Sequence, residues 1–257
     1  MTSEPKSGRL AGKRIVFIGG VTNIGAAAVR ACVAEGGRVF IGDLNATAGA
    51  AIAAELGDAV QFRRLDVTEE ADVAAFMAAA VDWLGGIDAL CQNAGYLRAG
   101  RIEDFSADEW DRIYAVNIRA QFLGAKYAVP HLKAAGKGSI VNMSSTAGKR
   151  GGGGRTAYSS SKGAVIAFGV SLAAELAPFN IRVNTLCPGW IDTEFNRPAI
   201  DYIEETMELE ALVQSGVPLG RQGTPEEVAP MFVYLISDES SYVTSQSLVI
   251  DGGGYNS

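Results

Sequence analysis

A single histidine, His131, stands in this chain of 257 residues, and its isolation removes whole classes of chemistry. A multi-histidine zinc site is impossible, and no metal is expected. A Ser-His-Asp triad would have to use a residue that follows Pro130 near an expected helix end, where a partly exposed structural side chain is the plainer reading. Cysteine is scarce too. Cys32, Cys91 and Cys187 are odd in number and far apart, as expected for reduced, mostly buried thiols in a cytoplasmic setting. Basic residues are outnumbered, 22 against 29 acidic ones, and the net charge of −7 argues against a nucleic-acid partner. Long apolar runs are also missing. Charges interrupt each hydrophobic stretch short of the ~18 residues that a membrane span needs, so no membrane partner is expected. The opening MTSEPKSGRLAGKR lacks the apolar stretch of a secretory signal. Residues 1–11 read as a polar tail, and 12–257 as one domain, because no linker, repeat or low-complexity stretch divides them.

What the chain does contain is alternation. Short runs rich in β-branched residues recur, each followed by an alanine-rich stretch with helical spacing. The runs are Arg14–Ile18, Arg38–Ile41, Val60–Leu65, Ile87–Cys91, Ser139–Met143, Arg182–Leu186 and Ser247–Ile250. Most are largely apolar, as strands buried on both faces are. Ser106 with Glu109, and Thr224-Pro225-Glu226-Glu227, carry the spacing of capping boxes that open helices. The pattern predicts an α/β fold: a Rossmann-type, doubly wound, parallel seven-stranded sheet with helices on both faces. Ligands of such folds bind beyond the carboxyl ends of the strands, so the loops there are where chemistry is expected.

The first of those loops is Gly19-Gly20-Val21-Thr22-Asn23-Ile24-Gly25, ahead of a helix. Glycines let backbone approach a pyrophosphate, and a helix start offers free N–H groups. The second strand leads to Asp43, whose carboxylate can accept both ribose hydroxyls of an adenosine and repel a 2′-phosphate. Neither Leu44 nor Asn45 supplies a compensating cation, so NAD is expected rather than NADP. Further on, Tyr158 and Lys162 lie four residues apart and share one face of a long helix, Ala157–Leu176. An ammonium beside a phenol favours the phenolate and brings proton exchange nearer neutral pH. Ser145, beyond the strand that carries Ile140 and Val141, adds a hydroxyl that could hold a substrate oxygen.

These motifs resemble, in order and spacing, those of the classical short-chain dehydrogenase/reductase family, from Gly12 to Gly253. The resemblance assigns the glycine motif to Gly19, Asn23, Ile24 and Gly25, and the adenine-side contacts to Asp66 and Val67. It assigns the Asn-Ala-Gly segment to Asn93, Ala94 and Gly95, and the active-site asparagine to Asn117. Ser145 matches the catalytic serine, thirteen residues ahead of Tyr158, and Lys162 completes the set. Pro188, Gly189, Ile191 and Thr193 resemble the segment that holds the nicotinamide. Implied with them are an NAD-dependent oxidoreductase that interconverts a secondary alcohol and a ketone, Tyr158 as general acid–base, Lys162 on the cofactor ribose, Asn117 anchoring a water, and a homotetramer. Three positions depart from the pattern: Ile18 for a threonine, Asn23 for the middle glycine and Gln92 for an asparagine. Asparagine tolerates left-handed backbone angles, so Asn23 is expected to keep the turn.

The substrate is less legible. Between Ser145 and Tyr158 the chain carries Lys149, Arg150 and Arg155 among four glycines, Gly151 to Gly154. Both ends of that loop are held at the reacting centre, so an anionic group on the substrate, gripped by Arg155, is expected, as in a hydroxy acid or sugar acid. Alternatives are a 3-oxoacyl-type reductase and a dehydrogenase of a neutral polyol or a hydrophobic secondary alcohol. Of a different class are an NAD-binding epimerase and a non-catalytic NAD sensor. The stretch from about 190 to 216 is expected to be a mobile lid over the substrate.

Overall fold

Neighbouring side chains of the first strand are buried on opposite sides of one sheet: Ile15 and Phe17 in one apolar cluster, Val16 and Ile18 in another. In the computed structural model, which describes residues 8–204 and 208–256, that strand is β1 (Arg14–Ile18). It is joined in parallel by β2 (Arg38–Asp43), β3 (Val60–Arg64), β4 (Ala89–Gln92), β5 (Gly138–Met143), β6 (Ile181–Pro188) and β7 (Ser247–Ile250), in the spatial order 3-2-1-4-5-6-7. The order reverses between β1 and β4, which opens a crevice beyond their carboxyl ends.

One face is covered by α1 (Asn23–Ala34), α2 (Ala46–Leu56) and, later in the chain, the helix that ends at Ile236; Phe17 meets Phe232 there at 5.3 Å between ring centroids. The other face is covered by α3 (Glu70–Leu84), α5 (Ala120–Ala135) and α7 (Thr156–Leu176), with Phe40 against Phe76 at 5.3 Å. Removing one such ring would cost about 3–5 kcal/mol. Between α3 and α5 lies α4 (Ala107–Tyr114), and α6 (Ala147–Arg150) precedes α7. Beyond β6 come α8 (Arg197–Glu204), α9 (Leu209–Gly216) and α10 (Pro225–Ile236). Both capping boxes form, Ser106 with Glu109 on α4 and Thr224 with Glu227 on α10.

The sequence reading needs correction in three places. Residues 8–11, assigned to the polar tail, are anchored through Leu10, which is fully buried and whose N–H donates to the Glu35 carbonyl at 2.9 Å. β4 starts at Ala89 rather than Ile87, because the Asp88 carboxylate turns aside to accept from the Arg14 backbone and guanidinium. The loop after Ser145 contains a helical turn, α6, and its cations reach the C-terminal segment: Arg150 donates to the Gly254 carbonyl and Lys149 lies over the Tyr255 ring. The stretch expected to be a lid holds a 3₁₀ turn at Glu194–Asn196, then α8 and α9, and residues 205–207 of it lie outside the described residues. One further difference concerns α7. With the turn after it, Thr156–Phe179, it is long and apolar enough by length and composition to cross a membrane, but Tyr158, Lys162, Val165 and Ala173 along it are buried inside the fold.

Candidate active site

The turn after β1 owes its shape to missing side chains. Gly19 has φ +80°, and a Cβ there would lie 2.4 Å from the Ala94 nitrogen. A Cβ on Gly25 would sit 2.1 Å from the Gly19 carbonyl oxygen. Asn23 takes a left-handed φ of 48°, the conformation expected of it. Thr22 precedes α1 without a side-chain cap, so the first N–H groups of the helix are left for an anion. Ile18 has no hydroxyl to tie β1 to β4, yet the tie exists: the backbone N–H groups of Asn93 and Ala94 donate to the Ile18 carbonyl at 2.8 and 3.2 Å. Asn93 Nδ2 adds a bond of 2.7 Å to the Gly19 carbonyl. Gln92, the other departure, donates to Asn142 Oδ1 at 3.0 Å, behind the cleft.

From this turn a cavity of about 760 Å³ runs along the carboxyl ends of β2, β1, β4, β5 and β6. Asp43 closes one end beside exposed Leu44. Burial raises the Asp43 pKa, while the N–H groups of Asn45, Val21 and Leu44 pull it back. Asp66 and Val67 line the same end; the Asp66 carboxylate accepts from the Thr68 hydroxyl and N–H, which hold its pKa down. Asn93, Ala94 and Gly95 form the floor. Pro188, Gly189, Ile191 and Thr193 form the far wall, with Ile191's carbonyl held by Asn196 Nδ2 at 2.7 Å.

The reacting side chains meet at the middle of this wall. Tyr158 and Lys162 face inward from the first turns of α7, 6 % and 2 % exposed. Lys162 Nζ donates to the Met143 carbonyl at 3.0 Å and lies 5.7 Å from the centre of the Tyr158 ring. Burial pushes Lys162 down to about 8 and Tyr158 up to about 12, the latter opposed by a hydrogen bond with Ser145 and by the charge of Arg155. Ser145 is in turn aimed by the Ala147 N–H, which donates to its Oγ at 3.1 Å.

Asn117 sits in a π-helical turn, Ala115–Arg119, between α4 and α5. Its amide clamps the Tyr96 backbone, accepting from the N–H at 2.7 Å and donating to the carbonyl at 2.9 Å. It also donates to Ser161 Oγ, which itself donates to the Tyr158 carbonyl at 2.7 Å. Ser161 thus braces the reacting helix, a role invisible in the sequence because it depends on a residue 44 positions away. Also missed were Leu97 and Ala199, which with Ala147 and Tyr158 make a small buried cluster against which Trp190 and Phe195 pack. The Phe195 ring lies 6.2 Å from that of Tyr158.

Arg155 is not brought to the cleft. It lines a separate cavity of about 70 Å³, shared with Arg150, Trp190 and Asp251, and its guanidinium lies over the Trp190 ring at 5.3 Å.

Residues 19–255 match the family profile described as enoyl-(acyl carrier protein) reductase. The 3-alpha-(or 20-beta)-hydroxysteroid dehydrogenase of Mycobacterium tuberculosis is 44% identical over 247 residues, 96% of this chain and 91% of that protein. The cyclopentanol dehydrogenase of Comamonas testosteroni is 37% identical over 249 residues, 96% and 98% of the two chains. Among solved structures, that of levodione reductase superposes with a TM-score of 0.91 at 28% identity, covering 96% of this chain and 99% of its own.

Proposed function

The chain belongs to the short-chain dehydrogenase/reductase family and is an oxidoreductase of alcohols and ketones, and from that premise we propose that it uses NAD to interconvert a neutral, largely apolar secondary alcohol and its ketone. The observation that carries the substrate class is the apolar surround of Tyr158, made by Leu97, Ala199, Trp190 and Phe195. Arg155, on which the hydroxy-acid expectation rested, belongs to the smaller cavity, and among the described residues the cationic side chains on the cleft wall are Arg112, toward the Asp66 end, and Lys162, which the proposed chemistry gives to the Tyr158 phenolate. The printed names of the relatives, a hydroxysteroid and a cyclopentanol dehydrogenase, support the same class.

The residues fit the cofactor. The crowded glycines and the uncapped start of α1 suit a pyrophosphate, and Asp43 beside Leu44 suits a ribose with both hydroxyls free. NAD, when bound, supplies the acceptor for the hydride. The protein supplies the rest. Ser145 donates to the substrate oxygen and keeps it against Tyr158, whose phenolate takes the hydroxyl proton in oxidation and returns it in reduction. Lys162 favours that phenolate, and the Met143 carbonyl fixes where its ammonium stands. Asn117 and Ser161 hold the helix that carries both. A homotetramer is part of the proposal, supported by exposed Phe122 on α5 and Val170 on α7; so is movement of the stretch from about 190 to 216, which carries α8 and α9, over the substrate.

The test is an NADH-absorbance screen over cyclic secondary alcohols, polyols and hydroxy acids, repeated with NADP. Cyclic apolar alcohols with NAD are expected to give the highest kcat/KM. Faster turnover of a hydroxy acid, or a preference for NADP, would overturn the reading.

A further inference from the structure

Arg155 is the charged side chain that the proposed chemistry leaves unused, and its surroundings differ from those of the other partly buried arginines. Arg14 is matched by the Asp88 carboxylate at 2.8 Å, and Arg182 donates to the carbonyls of Leu235, Ser237 and Val243. Arg155 has no ion pair among the described residues, and its Nε is buried without a hydrogen-bond partner. Its guanidinium instead lies against an aromatic face, Trp190 at 5.3 Å. A cation partly withdrawn from water without a paired anion is costly, and it would gain from an anion formed nearby.

The position of Arg155 identifies that anion. It is the N-cap of α7, three residues ahead of Tyr158 and so one turn from it. We propose that Arg155 is a positioning residue for the reaction, a second cation beside Lys162 that stabilises the Tyr158 phenolate through the protein rather than through the substrate. The inference rests on the acid–base role proposed for Tyr158.

Other titratable groups surround the pair: Arg150 on α6, Lys162 on α7, Cys187 on β6, Tyr202 on α8 and Asp251 after β7. Among the described residues Asp251 is the one carboxylate lining the small cavity, but its Oδ1 accepts from the Gly253 N–H at 3.0 Å and no ion pair joins it to Arg155. Tyr158 and Arg155 also act on each other electrostatically. Burial is the main cause lowering the Arg155 pKa and Tyr158 raises it, while Arg155 lowers that of Tyr158. The ammonium of Lys162, held by the Met143 carbonyl, lies 5.7 Å from the centre of the Tyr158 ring, and Arg155 would add to its positive potential.

The experiment is the pH profile of kcat/KM for alcohol oxidation, which rises as the phenolate forms. Arg155→Met is expected to move the rising limb upward by about one pH unit, and Arg155→Lys, which keeps the charge, to restore it most of the way. Asp251→Asn is expected to leave the limb in place. Near-ultraviolet phenolate absorbance, taken as the difference between each NAD-bound protein and its Tyr158→Phe counterpart, should follow the same order without turnover. A protein that turned over no alcohol but kept this spectroscopic order would sink the proposed function and spare the present inference. An Arg155→Met protein with lower activity and an unmoved limb would make Arg155 merely structural, as would equal shifts in the Lys and Met variants. A limb that moved in Asp251→Asn would name Asp251 as the counter-charge instead. A hydroxy acid favoured over its ester by the wild type, but not by Arg155→Met, would hand Arg155 to the substrate.

Discussion

The two ends of the cleft are made of different materials. The end at Gly19, Gly25 and Asn93 is backbone, packed so closely that an added Cβ would stand 2.1–2.4 Å from another main-chain atom. The end at Tyr158 is side chain, with Leu97, Trp190, Phe195 and Ala199 arriving from separate stretches of sequence onto one phenol ring. Backbone geometry admits few alternatives, whereas apolar side chains of similar volume exchange at modest cost. A rigid cofactor end and an adjustable substrate pocket follow from that contrast.

The largest effect is expected at the side-chain end. Tyr158→Phe keeps the ring, its contact with Phe195 and the packing of α7, and removes only the proton. Turnover should fall by about 10²–10⁴-fold while NAD affinity is unchanged, as read by stopped-flow kinetics and calorimetry. A variant with a tenth of wild-type activity would mean that the reacting group lies elsewhere.

Next is the strain that the same end carries. Burial holds the Lys162 pKa at about 8, against an ordinary value of 10.5. In the range between these values the unfolded chain binds the extra proton, so this residue's contribution to stability rises with pH there, and below about pH 8 the folded protein bears the full penalty. Lys162→Met should therefore raise the stability of the cofactor-free protein at pH 7, by on the order of 3 kcal/mol at most, while abolishing activity. Thermal unfolding at pH 7 and pH 10 checks it, since the gain should shrink at the higher pH.

At the backbone end, Gly25→Ala should weaken NAD binding by about 10–100-fold, because the new Cβ must push the Gly19 carbonyl aside. Ala-for-Phe195 at the other end should instead alter KM among alcohols and spare NAD binding; equal loss of NAD affinity in both would dissolve the distinction between the ends. The smallest effect concerns cofactor choice. Asp43→Ser with Leu44→Arg should shift the NADP/NAD preference about tenfold by removing repulsion and adding a phosphate partner, measured as a ratio of kcat/KM values.

The same contrast decides what could be read from the chain alone. The seven strands, the glycine turn and the Tyr158–Lys162 pair are local patterns, and local patterns survive in sequence. The left-handed Asn23 was foreseeable because few residues other than glycine adopt that angle readily. Arg155 was not: its distance from Tyr158 in the chain is short, but whether the side chain turns toward the cleft or away from it depends on Trp190, 35 residues on. The π turn around Asn117 was equally hidden, since it is tied to the backbone of Tyr96 rather than to any pattern within the helix. Helices α8 and α9 lie in a stretch whose mixture of apolar and acidic residues also fits a loop.

Gly95 lies where the two ends meet, and a Cβ built there would stand 3.5 Å from Lys162 Nζ, 3.5 Å from the Phe195 ring and 3.6 Å from Asn117 Oδ1. Those are ordinary contact distances, so one methyl fits and a branched side chain does not. The position is consequently a graded restriction on the corridor between cofactor and substrate, adjustable by a single codon. An inhibitor built to occupy both ends at once would have to thread a slender linker over this residue, and replacing Gly95 by valine would yield a protein resistant to that inhibitor though each end kept its own lining.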